Sequence, residues 1–215
     1  MVVSRIQTFL VLRAPDRAKG QALWAPSLLD CPLHEDYYRL LMALLGEEIV
    51  EEWLNRQGYF TMRGIKLGND EIDILAIRPL PNGKHECRHI EVQISINPIS
   101  YITKVPSAIR KATGIAPHNA KKRDVDQLTQ GVHEWIESKF NQPRKDEMRN
   151  RLCPGTWTKE LVIGVVKLEE ELELLKQAGI TIHRLKDVVS EMVDKDGIVQ
   201  AAAGADLFDL MLLRK

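Results

Sequence analysis

Two carboxylates stand where apolar residues would be expected. Asp73 lies between Ile72 and Ile74 in the run Asp70-Glu71-Ile72-Asp73-Ile74-Leu75-Ala76-Ile77, and Glu91 lies between Ile90 and Val92 in His89-Ile90-Glu91-Val92-Gln93-Ile94-Ser95. Carboxylates are rarely buried unless they are paired, hydrogen-bonded or bound to a metal. Two of them on neighbouring strands suggest a divalent-cation site. Mg²⁺ takes oxygen ligands, keeps several waters, and needs only one or two carboxylates plus phosphate oxygens. It can polarise a phosphoryl group and lower the pKa of an attacking water, so the chemistry indicated is phosphodiester cleavage. Gln93, two residues after Glu91, projects from the same side of the strand. It could orient a water, but it has no charge to neutralise a developing anion. Each carboxylate taken singly could instead face solvent on an edge strand, and Gln93 could be an ordinary polar residue there.

Further candidates flank this pair. Gly46-Glu47-Glu48 lies in a helical stretch whose inward face is set by Val50, Trp53 and Leu54. At about 100° per residue Glu47 falls beside Leu54 and Glu48 points away, so Glu47 is the acid that could reach inward. Both could also belong to a solvated helix face. No acidic residue occurs from Val92 to Arg123, a stretch that holds Lys104, Arg110, Lys111, Lys121, Lys122 and Arg123. Such segregation can build a positive face for phosphates, or a solvated basic loop. Tyr101, Lys104 and Arg110 directly follow the Glu91 segment, where they could meet nucleic acid by charge or stacking. Arg123, Gln127, Gln130 and Glu134 are spaced to share one side of a helix, as a backbone-contacting line or a plain exposed face. The histidines show no metal-ligand spacing.

The elements that must position these residues are legible. Apolar periodicity predicts a helix over His34–Gln57, stopped by Gly58. Strands follow at Tyr59–Leu67, Glu71–Ile77 and Glu86–Ser95, joined by Gly68-Asn69-Asp70 and by a hairpin loop at Pro79–Lys84. Short connections imply antiparallel pairing. After a loop-rich stretch with a short helix around Ser107–Thr113 comes a helix over Ala120–Phe140. Residues 141–159, polar and with two prolines, read as a linker or surface loop. Then come a strand at Glu160–Val166, a helix at Glu169–Ala178, a strand at Ile180–Leu185 and a helix at Lys186–Val193, a run that implies parallel pairing. The expected fold class is α/β, a mixed sheet flanked by helices. The expected organisation is an N-terminal extension over 1–33, a core over 34–195 and a tail over 196–215 packing on it.

The 215 residues are 44% hydrophobic and 28% charged, which excludes a chain disordered throughout. Basic and acidic residues balance at 30 each, so there is no global nucleic-acid signature, only a local one. No apolar run approaches the roughly 18 residues of a membrane span, and a signal peptide is not evident. Three dispersed cysteines form no CxxC pair, which points to an intracellular, cytoplasmic setting. GxGxxG, P-loop and GxSxG motifs are absent.

Taken together, Gly46-Glu47 on the first helix, Ile72-Asp73 on the second strand and Glu91-Val92-Gln93 on the third resemble the PD-(D/E)xK nuclease superfamily. Ile90-Glu91-Val92-Gln93-Ile94-Ser95, with Pro98-Ile99-Ser100 just after it, looks most like its competence-associated CoiA-like branch, where Gln also stands in place of Lys. The resemblance implies a restriction-endonuclease-like core and Mg²⁺, or Mn²⁺ in its place, bound by Asp73 and Glu91 with the carbonyl of Val92. It implies that Glu47 assists and that Gln93 positions the water. Ile72 replaces a loosely kept Pro, and Gln93 replaces the usual Lys, which leaves activity open. The expectation is a Mg²⁺-dependent nuclease acting on DNA, held through the basic stretch 104–123. The alternatives are a nuclease-fold module that binds nucleic acid or a protein without cutting, and an interaction protein whose basic stretch meets an acidic partner. Nucleases that cut both strands often pair two sites by symmetry, so a homodimer is compatible with this reading.

Overall fold

A computed structural model describes residues 32–95 and 97–194 of the chain. The tail expected over 196–215, and all but the end of the extension expected over 1–33, lie outside the described residues. By its internal contacts the chain divides after Glu35, and the unit beginning at Asp36 contains the sheet.

The fold is α/β, with five strands in the order β1-β2-β3-β4-β5. Helix α1 runs from Pro32 to Arg56 and ends against Gly58, whose φ of 83° suits a residue without a Cβ. Strands β1 (Phe60–Leu67), β2 (Asp70–Pro79) and β3 (His85–Gln93) form an antiparallel meander. Gly68, at φ 71°, opens the two-residue turn between Leu67 and Asp70. Helices α2 (Ser107–Thr113), α3 (Val125–Lys139) and α4 (Pro143–Leu152) then lead to β4 (Trp157–Ile163), which pairs parallel with β3. Helix α5 (Glu169–Gln177) crosses to β5 (Thr181–Arg184), parallel to β4, and α6 (Leu185–Asp194) follows.

Alternation along the strands divides the core in two. On one face Ile74, Ala76, Ile90 and Val162 pack against Ile49, Val50, Trp53 and Leu54 of α1 and Val188 and Met192 of α6. On the other, Leu161 and Ile163 pack against Val132, Ile136 and Phe140, and against Leu172 and Leu175 of α5. The odd-numbered positions of β2 and β3, Asp73, His89 and Glu91, therefore turn away from α1's apolar stripe.

Three elements differ most from the sequence reading. The helix expected from Ala120 begins at Val125, because Asp124 caps it by accepting from the Gln127 amide. The strand expected from Glu160 begins three residues earlier, at Trp157. The linker expected over 141–159 contains α4. Pro143 is tolerated at the start of that helix, where an amide proton is not needed. Its two buried residues are Lys145 and Arg149, so no apolar period announces it. Among the described residues no helix is long and apolar enough to cross a membrane.

Candidate functional site

The ladder between β2 and β3 runs from the Pro79–His85 pair to the Ile74–Ile90 pair. One step further in the same register sets Asp73 opposite Glu91. There the backbone pairing gives way to a side chain: the Val92 amide donates to Asp73 Oδ2 at 2.8 Å. A buried amide must find an acceptor, and here the acceptor is the carboxylate. Asp73, Glu91, Val92 and Gln93 all line a cavity of about 370 Å³, together with Lys104, Arg110 and Lys139.

Glu91 is 1% exposed and is held by cations from two helices. Lys139, the last residue of α3, brings its Nζ 2.5 Å from Glu91 Oε2, and Lys145 of α4 lies 3.6 Å from Oε1. Lys145 is itself buried and donates to the Lys139 carbonyl at 2.8 Å, joining the two helices behind the carboxylate. The Lys139–Glu91 contact is an ion pair at hydrogen-bonding distance.

His89 fixes the other oxygen. Burial first, then Arg149 and Lys145, push its pKa down to about 2, so the ring is neutral. Arg149 Nη1 lies 2.5 Å from His89 Nδ1. A guanidinium can only donate, so Nδ1 accepts and the proton sits on Nε2, from which the ring donates to Glu91 Oε1 at 3.2 Å. Arg149 is anchored in turn by the Phe140 carbonyl and Asp146.

The acids repel one another. Asp73 is pushed up to about 6 by burial and then by Glu91. Glu47 is pushed up to about 7 by burial and then by Asp73, with Glu91 adding to it. Glu47 reaches this field because its helix packs closely on the chain just after β3: a Cβ at Gly46 would lie 2.5 Å from Ile94 Cδ1. Glu48 instead meets Arg63 at 3.5 Å. Lys139 is raised, because Glu91 and Asp73 outweigh the burial that works against its charge.

Carboxylate oxygens are the kind of donor a hard divalent cation takes. The site offers two carboxylates facing one cavity and a third acid electrostatically coupled to them, although Glu91 Oε2 is already paired with Lys139. Among the described residues no group of three or more His, Cys, Asp or Glu side chains is gathered closely enough to enclose an ion. A bound cation would take its remaining oxygens from water or substrate.

The basic stretch separates into three groups. Lys104 and Arg110 line the cavity. The segment leading into α2 is clamped from below: buried Glu171 of α5 accepts from the Ile102 amide at 2.6 Å, the Thr103 amide at 2.9 Å and the Thr103 hydroxyl at 2.5 Å. Arg123 is turned inward, donates to the Thr103 carbonyl at 3.0 Å, and lies 3.9 Å over the Tyr101 ring. Tyr101 accepts from the Arg123 amide at 3.3 Å, so these two brace the loop from inside. Lys111, Lys121 and Lys122 are exposed and outside the cavity lining, as is half-buried Gln127. Glu134 lines the cavity but accepts from the Ser107 amide at 2.9 Å and the Ser107 hydroxyl at 2.8 Å, holding the start of α2.

Sequence reasoning missed Lys139, Lys145, His89 and Arg149. His89 carried a signal, lying two residues before Glu91 and so on the same face. The other three converge through tertiary packing and carried none.

No family model and no curated protein matches the chain. A solved structure, of a protein of unknown function designated AF1548, is similar at 12% identity, covering 79% of this chain and 76% of that one with a TM-score of 0.39.

Proposed function

We propose that the protein is a metal-dependent nuclease of the PD-(D/E)xK kind, with a restriction-endonuclease-like core, hydrolysing phosphodiester bonds in DNA. One observation carries this reading: Asp73, Glu91 and Gln93, singled out by sequence spacing, line one cavity with Lys139, Lys104 and Arg110. Asp73 and Glu91 would hold Mg²⁺ or Mn²⁺, with the Val92 carbonyl as a further donor and Glu47 assisting from α1. Such an ion, when bound, polarises the phosphate and acidifies an attacking water.

The chain's own residues do the rest. Lys139 provides the positive charge that Gln93 lacks, beside the carboxylate where the scissile phosphate would lie. Preorganised charge of this kind stabilises a developing anion. Gln93 orients the water by its amide. Lys104 and Arg110 hold neighbouring phosphates, and the His89–Arg149–Lys145 group fixes the orientation of Glu91.

The test is to incubate labelled DNA, single- and double-stranded, with and without Mg²⁺ or Mn²⁺. Wild type should cut only with an ion, and Asp73→Asn should slow cleavage at least about 100-fold, the scale of losing a charge-stabilising group. Equal cutting by the variant sinks the site assignment. A second reading, a binding module without catalysis, is favoured by Lys139 and Lys145, which already place positive charge beside Glu91. No cleavage of any substrate form with either ion would favour it.

A further inference from the structure

The wall of the cavity that cleavage does not use is the inner face of α3, where Trp135 stands beside the apolar side chains of Ile102 and Leu161. Trp135 is half-buried, and its ring is fixed. It meets Phe140 edge-to-face at 5.6 Å and 70°, and Phe140 meets His89 in the same way at 4.6 Å and 65°. The indole is thus locked to the residue that orients Glu91. Trp135 and Lys139 are four residues apart, which puts them on one helix face about 6 Å apart along its axis. Lys139 contacts Glu91, and on the nuclease reading the scissile phosphate lies beside it. The indole therefore lies about one helical turn from that phosphate, within the reach of a nucleobase. Lys104 and Arg110 supply charge for the flanking backbone.

The geometry points to a single-nucleotide subsite in which an unpaired base of a single-stranded nucleic acid stacks on Trp135 while its phosphate faces Lys139. This rests on the nuclease reading for the chemistry and names its substrate class. A cavity of about 370 Å³ lies at the small end of the roughly 300–1,000 Å³ typical of ligand sites. It admits one nucleotide, whereas a base inside a duplex is covered on both faces by its neighbours. Stacking is tolerant of sequence, because every base presents a π face. An aromatic wall flanked by cations thus selects for single-strandedness over sequence.

The full-length protein is titrated, without divalent ions, against three fluorescent probes: a short oligothymidylate, the same backbone with abasic sites, and a blunt duplex. Anisotropy should show the oligothymidylate binding about tenfold tighter than the duplex, and Trp135→Ala should weaken it about tenfold, the scale of one stacked base. The same variant should leave the abasic probe unchanged, and Trp135→Phe should restore most of the loss. If Trp135→Ala does not fold, Trp135→Leu keeps the apolar contact with Phe140 but removes the π face. It should then show the same selective loss. Equal affinity for duplex and single strand, or equal loss on the base-bearing and abasic probes, overturns the subsite. Binding is read without cleavage, so the two proposals fail separately. A single-strand preference with no cutting in Mg²⁺ or Mn²⁺ sinks catalysis alone. Cutting of duplex with no effect of Trp135→Ala sinks the subsite alone.

Discussion

In the proposed nuclease site Lys139 would supply, from far away in sequence, a charge that the strand itself lacks. A lysine at position 93 would have delivered its charge along β3; here Gln93 occupies the strand and the charge arrives from the end of α3, 2.5 Å from Glu91 Oε2. The carboxylates and the amide were legible in the sequence because strand periodicity assigns faces locally. The lysine was not, because nothing local says that residue 139 will meet residue 91. The proposed division of labour makes a specific expectation. Lys139→Met should lower the cleavage rate by roughly 100–1,000-fold, the range for losing one charge-stabilising group. Adding Gln93→Lys to that variant should recover part of the loss by returning the charge from the strand. If the double variant is no better than the single one, Lys139 acts through folding and not through its charge.

At the scale of elements, the site depends on approaches that only some residue types permit. Gly46 lets α1 meet the chain just after β3: a Cβ there would lie 2.5 Å from Ile94 Cδ1, 3.2 Å from Cγ1 and 3.3 Å from Cβ. The terminal methyl can swing aside, but the two inner atoms cannot move far without the backbone that carries them. Gly46→Ala should therefore cost about 1–3 kcal/mol of stability, as overpacking does, measured by urea unfolding. It should also slow cleavage by displacing Glu47 from Asp73 and Glu91. Unchanged stability would mean that the helix has room to shift and that Gly46 does not set the approach. The strands and most helices were legible because their apolar periods and turn residues agree. Helix α4 was not, because its inward positions are Lys145 and Arg149. Their charges are satisfied by Glu91, His89 and backbone carbonyls contributed from elsewhere. A polar helix that buries cations looks like a loop until its partners are known.

For the molecule as a whole, the opposite face of the sheet carries a second buried ionic group that binds strands together. Arg88 of β3 holds Glu160 of β4 through contacts of 2.8 and 2.5 Å, His183 of β5 lies 2.8 Å from the same carboxylate, and Thr158 donates to it at 2.5 Å. Arg88 also lies over Trp53 of α1 at 4.9 Å, so one carboxylate ties three strands to a helix. Burial alone would raise the pKa of Glu160, but His183, Arg88 and Thr158 overcome it and bring the group from 4.5 down to about 2. A carboxyl with a depressed folded pKa contributes stability that is present above its unfolded pKa and is lost as pH falls through its folded pKa. The window here is pH 4.5 to 2, and a depression of this size corresponds to about 3 kcal/mol. Glu160→Gln should thus be clearly less stable than wild type near neutrality, and the gap should narrow by about that amount as pH is lowered across the window. Urea unfolding of both proteins at several pH values measures it. A gap that stays constant with pH would show that the glutamine disturbs packing and that the charge contributes nothing.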